Sequence, residues 1–261
     1  MPILYSRGAI ALKPAAQMSI PAISLVIPAY NESQYLPRLL GTVAAARERF
    51  RGGADAVEVI VADNRSTDRT AGIAAEAGCR VVTAEIRCIA AARNAGARAA
   101  RGALLAFVDA DSQIHPETFN VIAEMLDRPD IIGGATGVVP ERWSAGIALT
   151  YAVFVPFVVA TGVDTGLVFC RRVDFEEIGG YDEKMRFAED VKFHAELWRL
   201  GRRRGARLVR ASSAKAIYST RKFDQFGDWH YFPIFLKAPF YLLVPRAGDG
   251  LADRYWYESG R

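Results

Sequence analysis

A chain of 261 residues, 51% hydrophobic and 24% charged, can bury a sizeable core, which excludes a disordered or low-complexity protein. Its net charge of +4 and pI near 9.0 are mild, and basic residues are scattered apart from GRRRGAR at 201–207, so nothing singles out nucleic acid as a partner. Cys79, Cys88 and Cys170 form no CxxC pair and are odd in number, which fits a reduced cytoplasmic setting better than a disulfide framework.

Residues 1–21 read as a leader with little periodic pattern, expected to lack order, and without a continuous apolar core of signal-peptide length. Apolar runs then recur: ISLVIPAY at 23–30, VEVIVAD at 57–63, CRVVTAE at 79–85 and ALLAFVD at 103–109. Between them, 34–50, 67–77 and 89–101 are Ala- and Leu-rich at helical period, and Gly52-Gly53, Gly78 and Gly102 fall where those helices should stop. Nearly unbroken apolar strands alternating with helices predict a mostly parallel sheet covered on both faces, an α/β fold.

The second half is less regular. Strands are expected at IIGGATGV (131–138), GLVFCRR (166–172) and ARLVRA (206–211), and a helix at DVKFHAELWRL (190–200) stopped by Gly201. Two apolar stretches lie at 145–163 and 231–245. The first approaches membrane-spanning length, but Pro156 and Gly162 favour a buried or interfacial helix. The pattern reads as one domain over 22–222, with a nucleotide-binding half to 112 and an acceptor half from 113, followed by an apolar, aromatic extension over 223–261.

Polar clusters follow the strands: NES the first, DNRSTD the second, DAD the fourth. In an open parallel sheet these positions share the carboxyl edge, where ligands bind. Asp109 and Asp111, one residue apart, are suited to a hard divalent cation that also takes phosphate oxygens; a plain turn is the competing reading. Asp63 is placed to accept a bond from a base N–H, and Glu32 or Asn31 to bond ribose hydroxyls. Helix capping by Ser33 and Ser66, with Asp68 suited to a first turn, explains the same residue types. Arg93 and Asn94 stand on a helix of small residues, so the guanidinium can approach a phosphate or the Asp pair.

Taken in order, VIPAYNE, VADNRSTDRT, ARNAGARAARG, LLAFVDAD and GGYDEKMRFAEDVKFHAEL resemble the signatures of family 2 glycosyltransferases of the GT-A fold, over roughly residues 22–222. The resemblance implies an inverting transferase that uses a nucleotide diphospho-sugar, usually with Mg²⁺ or Mn²⁺, and UDP as the commonest carrier. By it, Asp63 faces the base, Asp109 the ribose or metal, and Asp111 the metal and diphosphate, with Pro28, Tyr30, Glu32 and Arg93 completing the donor side. In AED, Asp190 is the base that takes the acceptor proton, with Glu189 as alternative or acceptor-binding neighbour; a helix N-cap is the bland reading. Upstream, Gly166 lets backbone approach the donor sugar and Asp164 binds a sugar hydroxyl.

One departure stands out. Many relatives carry a histidine after the last core strand that completes the metal site, whereas this chain reads AIYSTRKFDQFGDWHYF. Neither Ser219 nor Thr220 replaces an imidazole, His230 would have to fold back, and Arg221 or Lys222 offers to neutralise the diphosphate directly.

The acceptor is expected to be a saccharide or a lipid-linked molecule of polysaccharide, glycolipid or cell-envelope synthesis. The two apolar stretches, with Trp229, Tyr231, Phe232 and Lys237, suit peripheral contact with the inner membrane face, or equally a core helix and a homodimer contact. Two other functions compete: a non-catalytic nucleotide-sugar binding module, and a nucleotidyltransferase, for which PAYNES lacks a glycine- and basic-rich phosphate loop.

Overall fold

The computed structural model describes residues 20–161, 166–185 and 188–233. Residues 1–19, Asp164 and 234–261, including Lys237 and most of the second apolar stretch, lie outside the described residues.

Seven strands among the described residues form one sheet: β1 (Ile23–Ala29), β2 (Val57–Asp63), β3 (Arg80–Thr83), β4 (Leu104–Phe107), β5 (Ile131–Pro140), β6 (Val168–Arg171) and β7 (Arg207–Tyr218). Their order is β3-β2-β1-β4-β6-β5-β7. The β1–β2, β1–β4, β2–β3 and β5–β7 pairs are parallel, and β6 runs against both its neighbours. The expected α/β architecture is therefore found, with every residue of β1 buried because strands flank it on both sides and helices cover both faces.

Alternation along β1 divides the core. Ile23, Leu25 and Ile27 pack with Leu36, Leu39 and Val43 of α1 (Leu36–Arg49) and with Phe119 and Ile122 of α4 (Thr118–Asp127). Val26 faces the other layer, with Ala90, Ala91 and Ala97 of α3 (Ile89–Ala99) and Phe193 and Leu197 of α7 (Glu189–Arg204). The Ala-rich composition of α3 has a steric cause: a Cβ on Gly96 would lie 2.3 Å from Val26 Cγ1, so the helix rests almost on the strand.

Several boundaries differ from expectation. β4 ends at Phe107, so Asp109 and Asp111 occupy the turn beyond the strand rather than its last residues. α7 runs through Gly201, where a side chain would meet Ala206 O at 2.8 Å and Ile132 Cγ2 at 2.9 Å, and stops at Gly205 in the left-handed region (φ 67°). Gly201 thus serves packing, and Gly205 ends the helix. β7 extends seven residues past Ala211 to Tyr218. The supposed domain limit at 222 falls inside α8 (Arg221–Phe226), whose Phe223 is buried.

The first apolar stretch is a helix, α5 (Ala145–Thr161), burying Ile147 and Thr150 while exposing Leu149 and Val153. Among the described residues, no helix is long and apolar enough to cross a membrane.

Candidate active site

The site is built at the carboxyl edge of β1, β2 and β4, closed on one side by the start of α7 and on another by the turn from β7 into α8. The loops after β1 and β2 are laced together. Asn31 N donates to Ser66 Oγ (2.9 Å), Glu32 N to Thr70 Oγ1 (2.8 Å), Ser33 N to Asp68 Oδ2 (3.0 Å), and Thr67 N to Asn31 Oδ1 (2.8 Å). The expected capping by Ser33 and Ser66 is not what these residues do: the N-caps of α1 and α2 (Thr70–Glu76) are Tyr35 and Arg69, neither of which makes a side-chain cap. Asp68 is held down at about 2; partial burial opposes this, but donors from Thr70 and Ser33 outweigh it.

Among the described residues, three non-glycine positions have positive φ: Asn31 (52°) after β1, Arg65 (64°) after β2 and Ala188 (59°) just before α7. All three flank this edge. For L residues such angles are costly, and they concentrate where a fold must aim side chains.

Pro28 is buried near the carboxyl end of β1, and Tyr30 is half-buried with the Arg87 guanidinium 4.3 Å from its ring centroid. Asp63 Oδ2 accepts from Ser66 N at 3.2 Å, while its buried Oδ1 has no hydrogen-bond partner among the described residues. An acceptor left open at the end of β2 suits an incoming N–H donor.

Arg93 is the centre of the arrangement. α3 presents it, 5% exposed, to three carboxylates: Nη1 donates to Glu189 Oε1 (3.0 Å) and Asp190 Oδ1 (2.6 Å), and Nη2 to Asp109 Oδ1 (3.0 Å). The guanidinium also lies over the Tyr181 ring at 5.1 Å. Burial alone would favour losing its proton, but Asp190, Asp109, Tyr181 and Glu189 together hold Arg93 more firmly protonated than usual. The expected approach to the Asp pair is thus found at Asp109, and the two acidic residues of AED join it. Neighbouring Asn94 has a different task. It donates to Tyr181 O (2.8 Å) and Glu183 Oε1 (2.9 Å) and accepts from Tyr181 N (2.9 Å), fixing the GGYDE loop.

Glu189 and Asp190 occupy the first turn of α7, whose N-cap is Ala188, so neither is the cap itself. Both benefit from the positive helix end. They differ in access: the Glu189 side chain is 10% exposed, that of Asp190 36%. Burial and the neighbouring Asp190 charge push Glu189 up to about 7, against the pull of Arg93. The charged form therefore costs stability in the fold, and that cost sets in as pH rises from 4.5 through about 7. Glu189→Gln is neutral throughout. Its stability relative to the parent protein should rise by about 2 kcal/mol between roughly pH 5 and pH 8, measured by denaturant unfolding.

The other half of DxD is held differently. Asp111 forms an ion pair with Arg221, Oδ2 lying 2.9 Å from Nε, while Arg221 Nη1 and Nη2 donate to Glu32 Oε2 (2.8 Å) and Oε1 (3.0 Å). Glu32 is thereby paired with a guanidinium rather than left open for a ribose. The antiparallel bridge between Gln113 and Ile217 brings the turn after DxD to the end of β7 and so delivers Arg221. His230 Nδ1 lies 2.6 Å from Gly227 O, and its ring packs on Phe223 and Tyr231. Gly166 is small for a reason inside the fold, since a Cβ there would lie 2.1 Å from Thr136 O.

Asp109 and Asp111 are the oxygen donors a hard cation takes, but among the described residues no group of three or more His, Cys, Asp or Glu could hold one. Further ligands would have to come from a bound diphosphate and water.

The model for glycosyl transferase family 2 matches residues 24–189, which contain Glu32, Asp63, Asp109, Asp111 and Glu189 and end one residue before Asp190. The chain belongs to glycosyl transferase family 2. It carries a glycosyltransferase domain, and its sheet is that of GT-A structures. The chain is similar to TarS 1-349 of S. aureus, solved with UDP-GlcNAc, at 20% identity and a TM-score of 0.60, over 76% of this chain and 58% of that one. It is similar also to the mannosyltransferase PcManGT from Pyrobaculum calidifontis, solved with GDP-Man and Mn²⁺, at 22% identity and TM-score 0.59, covering 76% and 56%. In sequence it is 37% identical over 102 residues to validoxylamine A glucosyltransferase of Streptomyces hygroscopicus subsp. jinggangensis, 37% of this chain and 23% of that protein. The glycosyltransferase EpsJ of Bacillus subtilis is 26% identical over 202 residues, 69% of this chain and 57% of that protein. This family 2 chain thus spans less than two thirds of the length of each.

Proposed function

We propose that this family 2 chain is an inverting glycosyltransferase that moves a sugar from a nucleotide diphosphate to an acceptor hydroxyl, with Asp190 as general base. The observation that carries the reading is the single guanidinium of Arg93, bonded at once to Asp109 on the donor side and to Glu189 and Asp190 on the other. Inversion in one displacement needs a carboxylate on the face opposite the leaving diphosphate, held rigidly and open to the acceptor. Asp190 meets that need better than Glu189, being the more exposed of the two. Glu189 then tunes and orients its neighbour.

On the donor side, the open Oδ1 of Asp63 is the acceptor for a base N–H, and Tyr30 and Pro28 form the adjoining wall and floor. UDP is the proposed carrier. Asp109 and Asp111 would hold Mg²⁺ or Mn²⁺, which supplies charge to the departing diphosphate. Gly166 and Asp164 are assigned to the donor sugar. The domain is assigned to 22–222 with the rest of α8 added, since that helix crosses the limit and buries Phe223.

The acceptor is proposed to be lipid-linked, with the enzyme peripheral to the inner membrane face in polysaccharide or glycolipid synthesis. In support, Trp143, Leu149, Phe226 and Trp229 are exposed, and Arg142 joins their segments by bonds to Asp224 and Asp228. A homodimer contact would use the same residues.

The test is product analysis after incubation with UDP-, GDP- and dTDP-sugars and an acceptor. Released nucleoside diphosphate with inverted anomeric configuration supports the reading. Pyrophosphate release would instead indicate a nucleotidyltransferase, and tight nucleotide binding without turnover a binding module.

A further inference from the structure

The Asp111 carboxylate is already paired with a cation from within the chain, one that it shares with Glu32. Arg221 is 17% exposed in its side chain, Asp111 13% and Glu32 3%, so the three groups share a mostly water-excluded corner. A guanidinium presents its donors in a rigid planar fork. Nη1 and Nη2 on the two oxygens of Glu32 fix the fork's pose, which leaves Nε 2.9 Å from Asp111 Oδ2 as an ion pair and the Tyr35 ring 5.0 Å behind. Its backbone is equally fixed. Arg221 opens α8, which Phe223 anchors in the interior, and the Gln113–Ile217 bridge ties the preceding strand end to the DxD turn.

We propose that Arg221 is a resident competitor for the divalent cation at Asp111. A metal ion engages this carboxylate only when the Arg221–Asp111 ion pair gives way, because a dication beside a partly buried guanidinium meets strong repulsion. In the ligand-free protein, Arg221 therefore keeps metal affinity low. A bound nucleotide diphosphate brings the negative charge that lets both cations stay, so metal and nucleotide bind together. Arg221 acts here as a positioning residue, through Asp111. The inference rests on the reading of Asp109 and Asp111 as the cation's ligands.

The experiment titrates Mn²⁺ alone into the full chain, without nucleotide, and follows free Mn²⁺ by electron paramagnetic resonance. Arg221→Gln should bind Mn²⁺ about tenfold more tightly than the parent protein, and Arg221→Lys about threefold, because an ammonium is a point charge that cannot span all three oxygens. The gain should vanish in Arg221→Gln combined with Asp111→Asn. Arg87→Gln, which removes a charge stacked on Tyr30, should bind as the parent does.

A purely structural role for Arg221 predicts a lower melting temperature with unchanged or weaker Mn²⁺ binding, and that result overturns the proposal. So does an equal gain in Arg87→Gln, or no Mn²⁺ binding by any variant. Should Arg221→Gln fail to fold, Arg221→Lys decides by the same criterion. UDP titrated in parallel judges the transferase reading separately: nucleotide binding with no effect of Arg221 on Mn²⁺ sinks this inference alone. Absent nucleotide binding counts against the transferase and leaves the Mn²⁺ comparison to stand or fall by itself.

Discussion

Asp190→Asn should lower the rate of nucleoside diphosphate release with acceptor present by about 10²–10⁴-fold, the usual contribution of a general base. The substitution is chosen because it removes the base while sparing the architecture. An asparagine Oδ1 can still accept the bond now made by Arg93 Nη1 at 2.6 Å, so the fork keeps its three partners and the melting temperature should change little. Donor binding should also survive, since Asp190 lies across the guanidinium from Asp109. Glu189→Gln provides the contrast. Its side chain is too buried to meet an acceptor, so its loss of rate should stay within about tenfold, well under the range expected for the base itself. Steady-state rates for both variants on one donor and acceptor decide the assignment, and equal losses would remove Asp190 from its role.

The second large effect concerns stability. Arg93→Met keeps the aliphatic stem but leaves Glu189, Asp190 and Asp109 facing one another with no cation between them. Breaking a buried ion pair on one side typically costs about 3–5 kcal/mol, because the remaining charge stays desolvated. Asp190 and Asp109 are partly hydrated, which softens the penalty, so the lower end, about 3 kcal/mol, is expected here.

The sign of its pH dependence follows from Glu189. With Arg93 gone, burial and the Asp190 charge act on Glu189 unopposed, and its proton is held still more tightly. The variant is then least impaired in mild acid, where Glu189 is protonated, and most impaired above neutrality. Denaturant unfolding across that range measures it. Arg93→Lys should recover only part of the loss, since one ammonium cannot serve carboxylates on two sides. A uniform loss at all pH values would mean that the stem, rather than the charge, carries the contribution.

How much of this was readable in the chain depends on distance. β1, β2 and β4 announce themselves as unbroken apolar runs because they are buried on both faces, and their ends place Glu32, Asp63 and Asp109 at one edge before any coordinate is known. β7 was seen only to Ala211. Among the described residues it lies at the edge of the sheet, with β5 as its neighbouring strand and an isolated bridge from Gln113 to Ile217, and its later residues alternate in exposure, with Ser212, Ser213 and Lys215 turned to solvent, so no apolar run marks it. Gly201 misled for a related reason: nothing local distinguishes a glycine that makes room for Ile132 from one that ends a helix.

The couplings at the site were the least readable. Arg93 and Asp190 are 97 residues apart, Glu32 and Arg221 189, and no periodicity connects them. The sequence pointed to each of these residues for its own chemistry, but only the fold shows that each DxD carboxylate has its own arginine.

The most direct test of the account is calorimetric titration of UDP, GDP and dTDP into the folded protein, with and without Mn²⁺, beside Asp111→Ala. The account predicts that one nucleotide, UDP, binds best with Mn²⁺ present and that Asp111→Ala abolishes the metal-dependent part. Absence of binding by every nucleotide, in protein that melts cooperatively, would contradict it and remove the nucleotide diphosphate from this edge of the sheet.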